Sequence, residues 1–562
     1  MRNLGPGSRV SLLFGSIKQV YQCTFPRHLS PDCTKSSLLL ARHWGTANSK
    51  SFLERSSNVF KLNRSLAVNK AIIGGTFASQ SFSAMNFSEF LPSWNLCLGA
   101  YLAVEITFYF IFKHYFIPRA NQRTQPRRYR DYETQRHRLL TRILNRLERT
   151  STLTGQSQKV VLKEFLLQWF HKISSQPPPL QRIVSRPSSP YASDDEQQQS
   201  VEEWTELHKE DMDLFFAWAF FSKEFSELEP WERVELNKLF EIMQQRCQLK
   251  FCAGTSGIHI PRRLNLEDVS PLHRPFLVYL ILRTIERFAG LFLRMIGFRL
   301  YKSKSGLVYW HRAGNDKRRL PLLFFHGIAP GGQVFYLPMV LSSLGDKDRT
   351  MFLFENKPIS SSICFHALTE DETIDGVAEA LNAHLETQYS PVTLCGHSFG
   401  SCPITWLLHS PLRRRIQQVV LIDPVTILLS EPDVMVNFVY SRRQIVPLSA
   451  GEIDRTKIQL VASSELFTEY YLRRHFSWYN SELWLEDIPD DVQVLVCISE
   501  HDEIISAPKV KKEIEIHNNP NLRMIHWEGV GHANCVATPE SWKEIRIAML
   551  EQEQLASGIK RD

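Results

Sequence analysis

The chain has 562 residues, of which 43% are hydrophobic and 22% charged, and its formal net charge is +7. This length exceeds that of one ordinary domain. A modest positive charge without a nucleic-acid-binding motif argues against a nucleic-acid partner. The ten cysteines include no Cys-x-x-Cys pair and no histidine partner at zinc spacing. We interpret them as reduced thiols of an intracellular protein, with no metal or organic cofactor implied.

Residues 1–84 resemble a targeting segment in composition. They contain eleven Lys or Arg but only two acids, Asp32 and Glu54, among many serines and threonines. Such a composition is typical of mitochondrial or plastid transit peptides. Two alternatives stay open: a disordered tail, or sequence upstream of a true start at Met85.

Residues 91–117 are the most apolar stretch of the chain and predict a transmembrane helix. Between Leu96 and Phe112 the only charged residue is Glu105, which is costly at the centre of a bilayer. With Trp94 and Tyr115 as interface anchors, the stretch reaches the roughly 20 residues that a spanning helix needs. A buried or interfacial helix is the alternative.

Charge on the two sides of this stretch predicts its orientation. Residues 113–149 hold eleven Lys or Arg against three acids, whereas residues 71–94 hold no Lys or Arg. The positive-inside rule therefore predicts a single-pass protein whose larger, C-terminal part faces the cytosol or an organelle interior. The basic region 118–173 has leucines at helical spacing, so it is predicted to lie on anionic lipid or to pack on the protein.

Two further regions precede the most informative part of the chain. Residues 174–200 are rich in proline, serine and glutamine and predict a flexible linker. The region 201–298 predicts three helices, over Trp204–Phe221, Trp231–Cys247 and Pro275–Phe298. The last has an unusually wide apolar surface, which either packs on a core or dips into a membrane.

Residues 299–424 and 491–552 alternate strand-like and helix-like segments, which predicts an α/β domain with a mainly parallel sheet. An early strand signal, Leu320–Phe325, ends in the glycine-rich loop His326–Gly332. In hydrolytic enzymes of this architecture such a loop supplies one backbone N–H of an oxyanion hole. We predict that this donor is the amide of Ile328.

The segment Gly396-His397-Ser398-Phe399-Gly400 lies between an apolar run and a helix-like stretch. A strand, tight turn and helix in this order lift the serine hydroxyl above a sheet, and the glycines avoid a clash that a Cβ would cause. Ser398 is thus the predicted nucleophile, with an ordinary small residue in a turn as the alternative. The amide of Phe399 is the predicted second oxyanion donor. Predicted substrate contacts come from the flanking residues His326, Gly327 and His397.

Two later strand signals, Val492–Ile498 and Leu522–Trp527, end in polar loops that contain Asp502 and His532. A serine hydroxyl needs a histidine to accept its proton and a carboxylate to orient the ring. The order serine, acid, histidine along the chain fits that requirement. For the acid, other carboxylates at strand ends stay open: Glu500, Glu503 and Asp423. We interpret Asp423 as structural, bonding backbone in the turn that Pro424 starts.

Some seventy residues separate the strand ending at Ile422 from the one beginning at Val492, which predicts a helical cap over residues 425–490. Its aromatic side chains either wall a pocket for apolar chains or form the core of the cap. They are Phe467, Tyr470, Tyr471, Phe476, Trp478, Tyr479 and Trp484.

Four segments carry a family resemblance: HGIAPGGQVFY from His326, CGHSFGSCPITWLL from Cys395, LIDPVTILLSEPDVMVNFVY from Leu421 and RRHFSWYNSELWLEDIP from Arg473. They resemble a poorly characterised group of membrane-associated α/β-hydrolases from fungi and other microbial eukaryotes. The resemblance covers roughly residues 200–545 and implies the α/β-hydrolase fold and the triad of Ser398, Asp502 and His532. Ala329-Pro330 departs from the pattern, since glycine is expected there.

The resulting hypothesis is a membrane-anchored serine hydrolase that cleaves a carboxylic ester of a lipid through an acyl-enzyme. An acyltransferase on the same triad is one alternative, for which His366 and Asp371 have a fitting but short spacing. A catalytically inactive membrane scaffold that binds lipid or protein is the other.

Overall fold

The computed structural model describes six stretches of the chain: 87–124, 132–172, 202–345, 348–387, 389–440 and 458–557. The chain divides into two units, residues 1–98 and 99–562. Of the first unit only residues 87–98 are described, and they begin the helix Phe87–Ile111. The second unit holds the sheet and the other helices. The predicted targeting segment 1–84 and the predicted linker 174–200 lie outside the described residues.

Four short strands come first in the chain: β1 (Phe170–Lys172), β2 (Glu202–His208), β3 (Leu249–Cys252) and β4 (His259–Pro261). β1 pairs with β4 and β2 with β3. The central sheet then follows, with β5 (Arg299–Lys302), β6 (Val308–Arg312), β7 (Leu322–Phe325), β8 (Met351–Glu355), β9 (Val392–His397), β10 (Ile416–Ile422), β11 (Gln493–His501) and β12 (Leu522–Gly531).

The central sheet is mixed, with the order β12-β11-β10-β9-β7-β8-β6-β5. β6 runs antiparallel to both of its neighbours, and every other neighbouring pair is parallel. The inner strands β7 and β9 are buried along their whole length. Continuous apolar runs form such strands because helices cover both faces of a parallel sheet. Consequently the polar residues that follow these strands collect at one edge.

Sixteen α-helices are found in the described residues. In chain order they are α1 (Phe87–Ile111), α2 (Ile117–Ala120), α3 (Tyr132–Thr154), α4 (Gln158–Gln168), α5 (Lys209–Phe221), α6 (Pro230–Cys247), α7 (Phe276–Met295), α8 (Gln333–Met339), α9 (Glu370–His384), α10 (Ser401–Leu408), α11 (Asp433–Met435), α12 (Leu466–Arg474), α13 (Trp478–Ser481), α14 (Ala507–His517), α15 (Asn534–Ala537) and α16 (Pro539–Ser557).

The prediction of a helix from Trp204 is wrong over its first turn and a half. Residues 202–208 form β2, which pairs with β3, and the ring of Trp204 packs on that of Phe251. The helix begins only at Lys209, because the Asp211 carboxylate accepts a hydrogen bond from the His208 N–H at 3.0 Å. An acceptor in this position satisfies the unpaired donors of a helix N-terminus and so fixes where the helix starts.

Of the two placements predicted for the basic helix α3, on anionic lipid or on the protein, the structure shows packing on the protein. Its leucine face is buried, as Leu140 and Leu144 show at 4% and 1% exposure. Two of its arginines form buried ion pairs, Arg136 with Glu235 and Arg146 with Glu482, each at 2.7 Å. Buried charges need such partners because burial removes their water. These arginines are therefore not available to lipid phosphates.

The run Asn95–Ala120 is long and apolar enough to cross a membrane, judged by length and composition alone. It comprises most of α1, a π-helical turn at Phe112–Phe116, and α2. Only 11% of its most apolar window is buried. This run overlaps most of the predicted span 91–117.

Helices α11, α12 and α13 lie between β10 and β11, within the predicted cap 425–490. Residues 441–457 of that region are outside the described part of the chain. α12 is tied to the region before the sheet, because the Arg473 guanidinium donates to the Leu264 carbonyl at 3.2 Å and Arg474 donates to the Asn265 carbonyl at 3.1 Å. The region before the sheet thus helps to hold the cap in place.

Candidate active site

Ser398 sits in a strained turn between β9 and α10. Its φ is +52°, a left-handed conformation that non-glycine residues rarely adopt. A Cβ at Gly396 would come within 2.5 Å of the Gly400 carbonyl oxygen, and one at Gly400 within 2.1 Å of the Phe325 carbonyl oxygen. Both glycines are therefore required by close backbone approach, as the sequence pattern predicts.

Ser398, His532 and Asp502 form one hydrogen-bonded row. The Ser398 Oγ lies 2.9 Å from His532 Nε2, and His532 Nδ1 lies 2.7 Å from Asp502 Oδ2. All three side chains are buried, Ser398 at 7% and His532 at 9% exposure. The other oxygen of Asp502 accepts from the N–H groups of Ile504 and Ile505 at 2.7 and 2.9 Å. This arrangement orients a histidine to accept a proton from a serine.

The neighbouring glutamates hold the loops that carry the triad residues. Glu500 accepts a hydrogen bond from the Gly529 N–H at 2.7 Å, and Glu503 accepts one from the backbone N–H of His532 at 2.8 Å. Neither bond involves the imidazole. Among the four carboxylates that the sequence left open, Asp502 is the one hydrogen-bonded to the ring.

The hydrogen bonds of Asp423 differ from those that the sequence predicts. Its carboxylate accepts from the backbone N–H and the hydroxyl of Ser499, at 2.8 and 3.0 Å, and so binds the neighbouring strand β11 rather than its own turn at Pro424. Burial opposes its ionisation, but these donors and the neighbouring rings of His397 and His532 hold the pKa of Asp423 below its usual value. A second buried carboxylate thus stands close to His532.

Carboxylates also determine the basicity of His532. Burial alone would lower its pKa, but the charge and hydrogen bond of Asp502, together with the charges of Asp423 and Glu503, raise the pKa of His532 to about 9. The raised pKa favours the charged ring at neutral pH in the free protein. Only its deprotonated form can accept the serine proton.

We expect kcat/KM for a water-soluble ester to rise with pH as His532 loses its proton. Below the pKa of about 9, the fraction of neutral ring falls about tenfold for each unit of pH, and the rate follows it. The test is a pH–rate profile from about pH 6 to about pH 10, recorded over the range in which the protein stays folded. A profile that is flat between about pH 6 and 8 would contradict this assignment.

The loop that follows β7 packs against the serine turn. A Cβ at Gly327 would come within 2.8 Å of the His397 carbonyl oxygen. The N–H groups of Gly327 and Ala329 bond to the Tyr336 hydroxyl and the Ile359 carbonyl. Between them, the Ile328 N–H has no acceptor among the described residues. Ile328 lines the same cavity as Ser398.

Ala329-Pro330 does not prevent this geometry. The sharp turn falls instead on Gly331 and Gly332, whose φ values are +73° and +52°. The Gly331 N–H donates to the Ser360 carbonyl at 2.9 Å, which ties the loop to the segment after β8. The departure from the family pattern is accommodated because the next two residues are glycines.

The two histidines that are predicted to contact substrate form hydrogen bonds within the protein. His326 Nε2 accepts from the Asn356 N–H at 3.0 Å, so its proton is on Nδ1, which donates to the Gly327 carbonyl at 2.8 Å. His397 Nδ1 lies 2.9 Å from the Tyr336 hydroxyl. Burial lowers the pKa of both rings, that of His326 to about 4. Neither these two histidines nor Gly327 line the cavity at Ser398, whereas His326 lines a separate cavity that also contains Phe399.

Among the described residues, that cavity is lined by the hydroxyl of Ser398 and by apolar or aromatic side chains, of which Trp478 also carries an indole N–H. The apolar residues are Leu264, Ile328, Phe399, Val425, Leu429, Val434, Met435, Phe438, Val439, Leu472, Phe476, Trp478 and Ile504. Of the seven cap aromatics, only Phe476 and Trp478 are in this set, and the others belong to the cap core or its contacts. Leu264 comes from the region before the sheet, and sequence reasoning missed it because no local signal marks a residue that reaches a pocket through tertiary contact.

His366 and Asp371, the pair with acyltransferase-like spacing, are both exposed and absent from this cavity. A separate group of His397, Asp423 and Cys535 brings potential metal ligands within 4.8 Å of one another. Burial raises the pKa of the Cys535 thiol, and the Asp423 carboxylate is already bonded to Ser499. A protonated thiol is a poor ligand, so the donor set does not favour a metal.

A serine on a strand-to-helix turn, an acid after β11 and a histidine after β12 reproduce the arrangement of the α/β-hydrolase fold. Solved structures similar to this chain include a carboxylesterase of the ammonia-oxidizing thaumarchaeon Nitrososphaera gargenis, a bacterial membrane phospholipase A and a carboxylesterase of Bacillus subtilis. No protein-family model matches the sequence, and no curated protein matches it.

These likenesses are distant. The identities are 13%, 15% and 13%, and the TM-scores 0.31, 0.35 and 0.32. The matched regions cover 46%, 50% and 49% of this chain and 99%, 94% and 98% of the respective structures. At this level they carry no argument about activity, which has to come from the site itself.

Proposed function

We propose that the protein is a membrane-anchored serine hydrolase that cleaves a carboxylic ester of a lipid, with Ser398 as nucleophile, His532 as base and Asp502 as the orienting acid. The observation that carries the proposal is the hydrogen-bonded row from Ser398 Oγ through His532 to Asp502, at the wall of a cavity that is otherwise apolar. A strained serine paired with an oriented imidazole is the arrangement that nucleophilic ester cleavage requires.

In the first half-reaction His532 takes the Ser398 proton while Oγ forms a bond to the ester carbonyl carbon. The N–H groups of Ile328 and Phe399 stabilise the negative oxygen of the tetrahedral intermediate. The bond to the alcohol then breaks, the alcohol leaves with the proton from His532, and an acyl-serine remains. In the second half, His532 deprotonates a water molecule that attacks the acyl carbon, and the free acid leaves as the Ser398 hydroxyl is restored.

The cavity supports an apolar acyl group as the part of the substrate next to the serine. Among the described residues its lining offers no charged group, and its hydrogen-bonding side chains are Ser398 and the indole N–H of Trp478, which has no other partner. A charged acyl group, or a polar one with several groups to pair, would lose its hydration there with little compensation, at a cost of about 1–3 kcal/mol or more. Long aliphatic chains incur no such cost.

The helical run Asn95–Ala120 supports membrane anchoring, and the excess of Lys and Arg in residues 113–149 supports a site on the cytosolic or organelle-interior side. The composition of residues 1–84 supports mitochondrial or plastid targeting. Together with the motif resemblance, these features support assigning the chain to the membrane-associated α/β-hydrolases of microbial eukaryotes.

The test is to incubate the purified full chain with p-nitrophenyl esters of increasing acyl length and with phospholipid vesicles that contain an added long-chain alcohol. Mass spectrometry then measures free fatty acid and new ester. We expect acid release, faster for medium or long acyl chains than for acetate. New ester in excess of acid would show acyl transfer. Neither product from folded protein, over the whole series, would favour the inactive scaffold.

A further inference from the structure

Helix α7 exposes a continuous apolar stripe. Its large exposed side chains are Leu277, Leu280, Phe288, Leu291 and Met295, with exposures of 41%, 49%, 64%, 53% and 77%. At 3.6 residues per turn these positions fall on one face of the helix. The polar residue within the stripe, Thr284, bonds its hydroxyl to the Leu280 carbonyl at 2.8 Å. The stripe therefore offers no unsatisfied polar group.

The other faces of α7 have different characters. Tyr279, Ala289 and Leu293 are buried, so the opposite face packs on the protein. Three exposed arginines, Arg283, Arg287 and Arg294, lie between the buried face and the stripe. The acid on the helix, Glu286, is only partly exposed and pairs with Arg283. A helix with an apolar face bordered by basic residues is typical of helices that lie in a membrane interface.

The stripe begins where α7 is joined to the apolar run Asn95–Ala120. The Glu105 carboxylate accepts from the N–H groups of Phe276 and Leu277, at 2.7 and 3.0 Å, and so caps the N-terminus of α7. The Phe108 ring packs on Phe276 and Tyr279, with centroids 5.3 and 5.7 Å apart. The charged residue within the apolar run is thus satisfied by a helix end.

The apolar run is itself exposed around this junction. Tyr101, Leu102, Val104 and Ile106 are between 40% and 56% exposed. Two exposed apolar surfaces therefore meet at Glu105, one on a helix long enough to cross a bilayer and the other on α7. A contiguous apolar surface of this kind marks an interaction site, whereas isolated exposed hydrophobic residues do not.

We propose that α7 inserts obliquely into one leaflet, starting beside Glu105 within the apolar run, with its stripe among the acyl chains and its three arginines directed towards the anionic phosphates of that leaflet. The proposal rests on the membrane anchoring in the proposed function. It deepens that function because Tyr279 of α7 donates to Glu465 at 2.9 Å, next to α12, whose Leu472 lines the cavity at Ser398. The docked helix would hold the cap against the leaflet from which an ester substrate comes.

The test uses the full chain in vesicles of phosphatidylcholine that carry a diazirine in one acyl chain, with or without phosphatidylserine. Light-induced lipid adducts are mapped by mass spectrometry. We expect adducts at Phe288, Leu291 and Met295, and more of them with phosphatidylserine. Val234 of α6, exposed at 57% but on another helix, serves as the internal control and should carry none. Adducts in α1 without any in α7 would overturn the proposal.

Variants of α7, with a matched control in α6, test the proposal further. The double variant Phe288→Glu/Leu291→Glu should lose at least nine-tenths of the α7 adducts, on the order of tenfold, because the apolar insertion is removed. The matched Val234→Glu variant should keep them, and Arg287→Gln/Arg294→Gln should abolish the increase caused by phosphatidylserine. Both α7 variants must melt like the wild-type protein. If the double variant instead converts a dimer to a monomer, with no lipid adducts in either form, a second copy covers the stripe and the proposal is wrong.

Rates of ester cleavage by the double variant and by the wild type give a separate test of the proposal. The double variant should cleave a vesicle-embedded ester at least about tenfold more slowly than wild type, yet cleave a water-soluble ester at the same rate, since the site itself is unchanged. Equal loss on both substrates would contradict the interfacial role. The adduct map needs no catalysis, so a protein that cleaves no ester but still labels in α7 would overturn the proposed function alone.

Discussion

Replacing Ser398 with alanine should reduce kcat for ester hydrolysis by about 10⁵–10⁶-fold and abolish labelling by a fluorophosphonate. Among the described residues that line the cavity, the Ser398 hydroxyl is the one nucleophile, and it lies 2.9 Å from the base. Without it, only substrate binding and the oxyanion donors remain to accelerate attack by water. The measurements are initial rates on the best ester of the acyl series and gel-based labelling of the same preparations.

Ser541→Ala is the matched control for this experiment. Ser541 is as buried as Ser398, at 5% exposure, but lies on α16 and does not line the cavity. The control should keep both activity and labelling. If Ser398→Ala, folded as judged by its melting temperature, were still labelled or retained more than about a hundredth of the rate, another residue would be the nucleophile.

Replacing Asp502 with asparagine should lower kcat about 10⁴-fold through the tautomer of His532. The Oδ1 atom of Asp502 accepts from the N–H groups of Ile504 and Ile505. An asparagine would keep its oxygen at these donors, so its NH₂ group would face His532 Nδ1. That nitrogen must then accept, the ring proton moves to Nε2, and the ring can no longer take the Ser398 proton.

The same variant should also move the pH–rate profile. The Asp502 carboxylate is the first of the groups that raise the pKa of His532 to about 9. In Asp502→Asn the residual activity should therefore titrate at lower pH than in wild type. Glu500→Gln, whose partner is the Gly529 N–H, should keep the rate within about threefold and leave the profile in place.

Asp423→Asn distinguishes the two buried carboxylates near His532. It removes a charge but not the hydrogen bond to Nδ1, so its loss should be much smaller than that of Asp502→Asn if Asp502 is the acid. If Asp423→Asn instead lowered kcat more than Asp502→Asn did, with equal melting temperatures for the two proteins, then Asp423 and not Asp502 would be the acid.

Several features of the site are local and could be predicted from sequence. The serine turn is indicated by five consecutive residues, since a Cβ at Gly396 would meet the Gly400 carbonyl within the same turn. The need for Gly400 comes from β7, whose Phe325 carbonyl leaves no room for a Cβ there. Apolar runs predict the inner strands, since a strand buried on both faces cannot tolerate polar residues. Residues after parallel strands share one edge of the sheet, so Asp502 and His532 could be placed near Ser398 without coordinates.

Other features depended on contacts between residues far apart in the chain, and only the tertiary structure decided them. Four carboxylates follow strands or lie at their ends, and only the folded structure shows that Asp502 bonds to the His532 ring while the other three bond to backbone N–H groups. Leu264 reaches the cavity wall, and the basic helix α3 pairs its arginines with distant glutamates. Glu105, the charged residue within the apolar run, caps the N-terminus of α7. Sequence determined which chemical groups each segment carries, whereas long-range packing determined which of them meet.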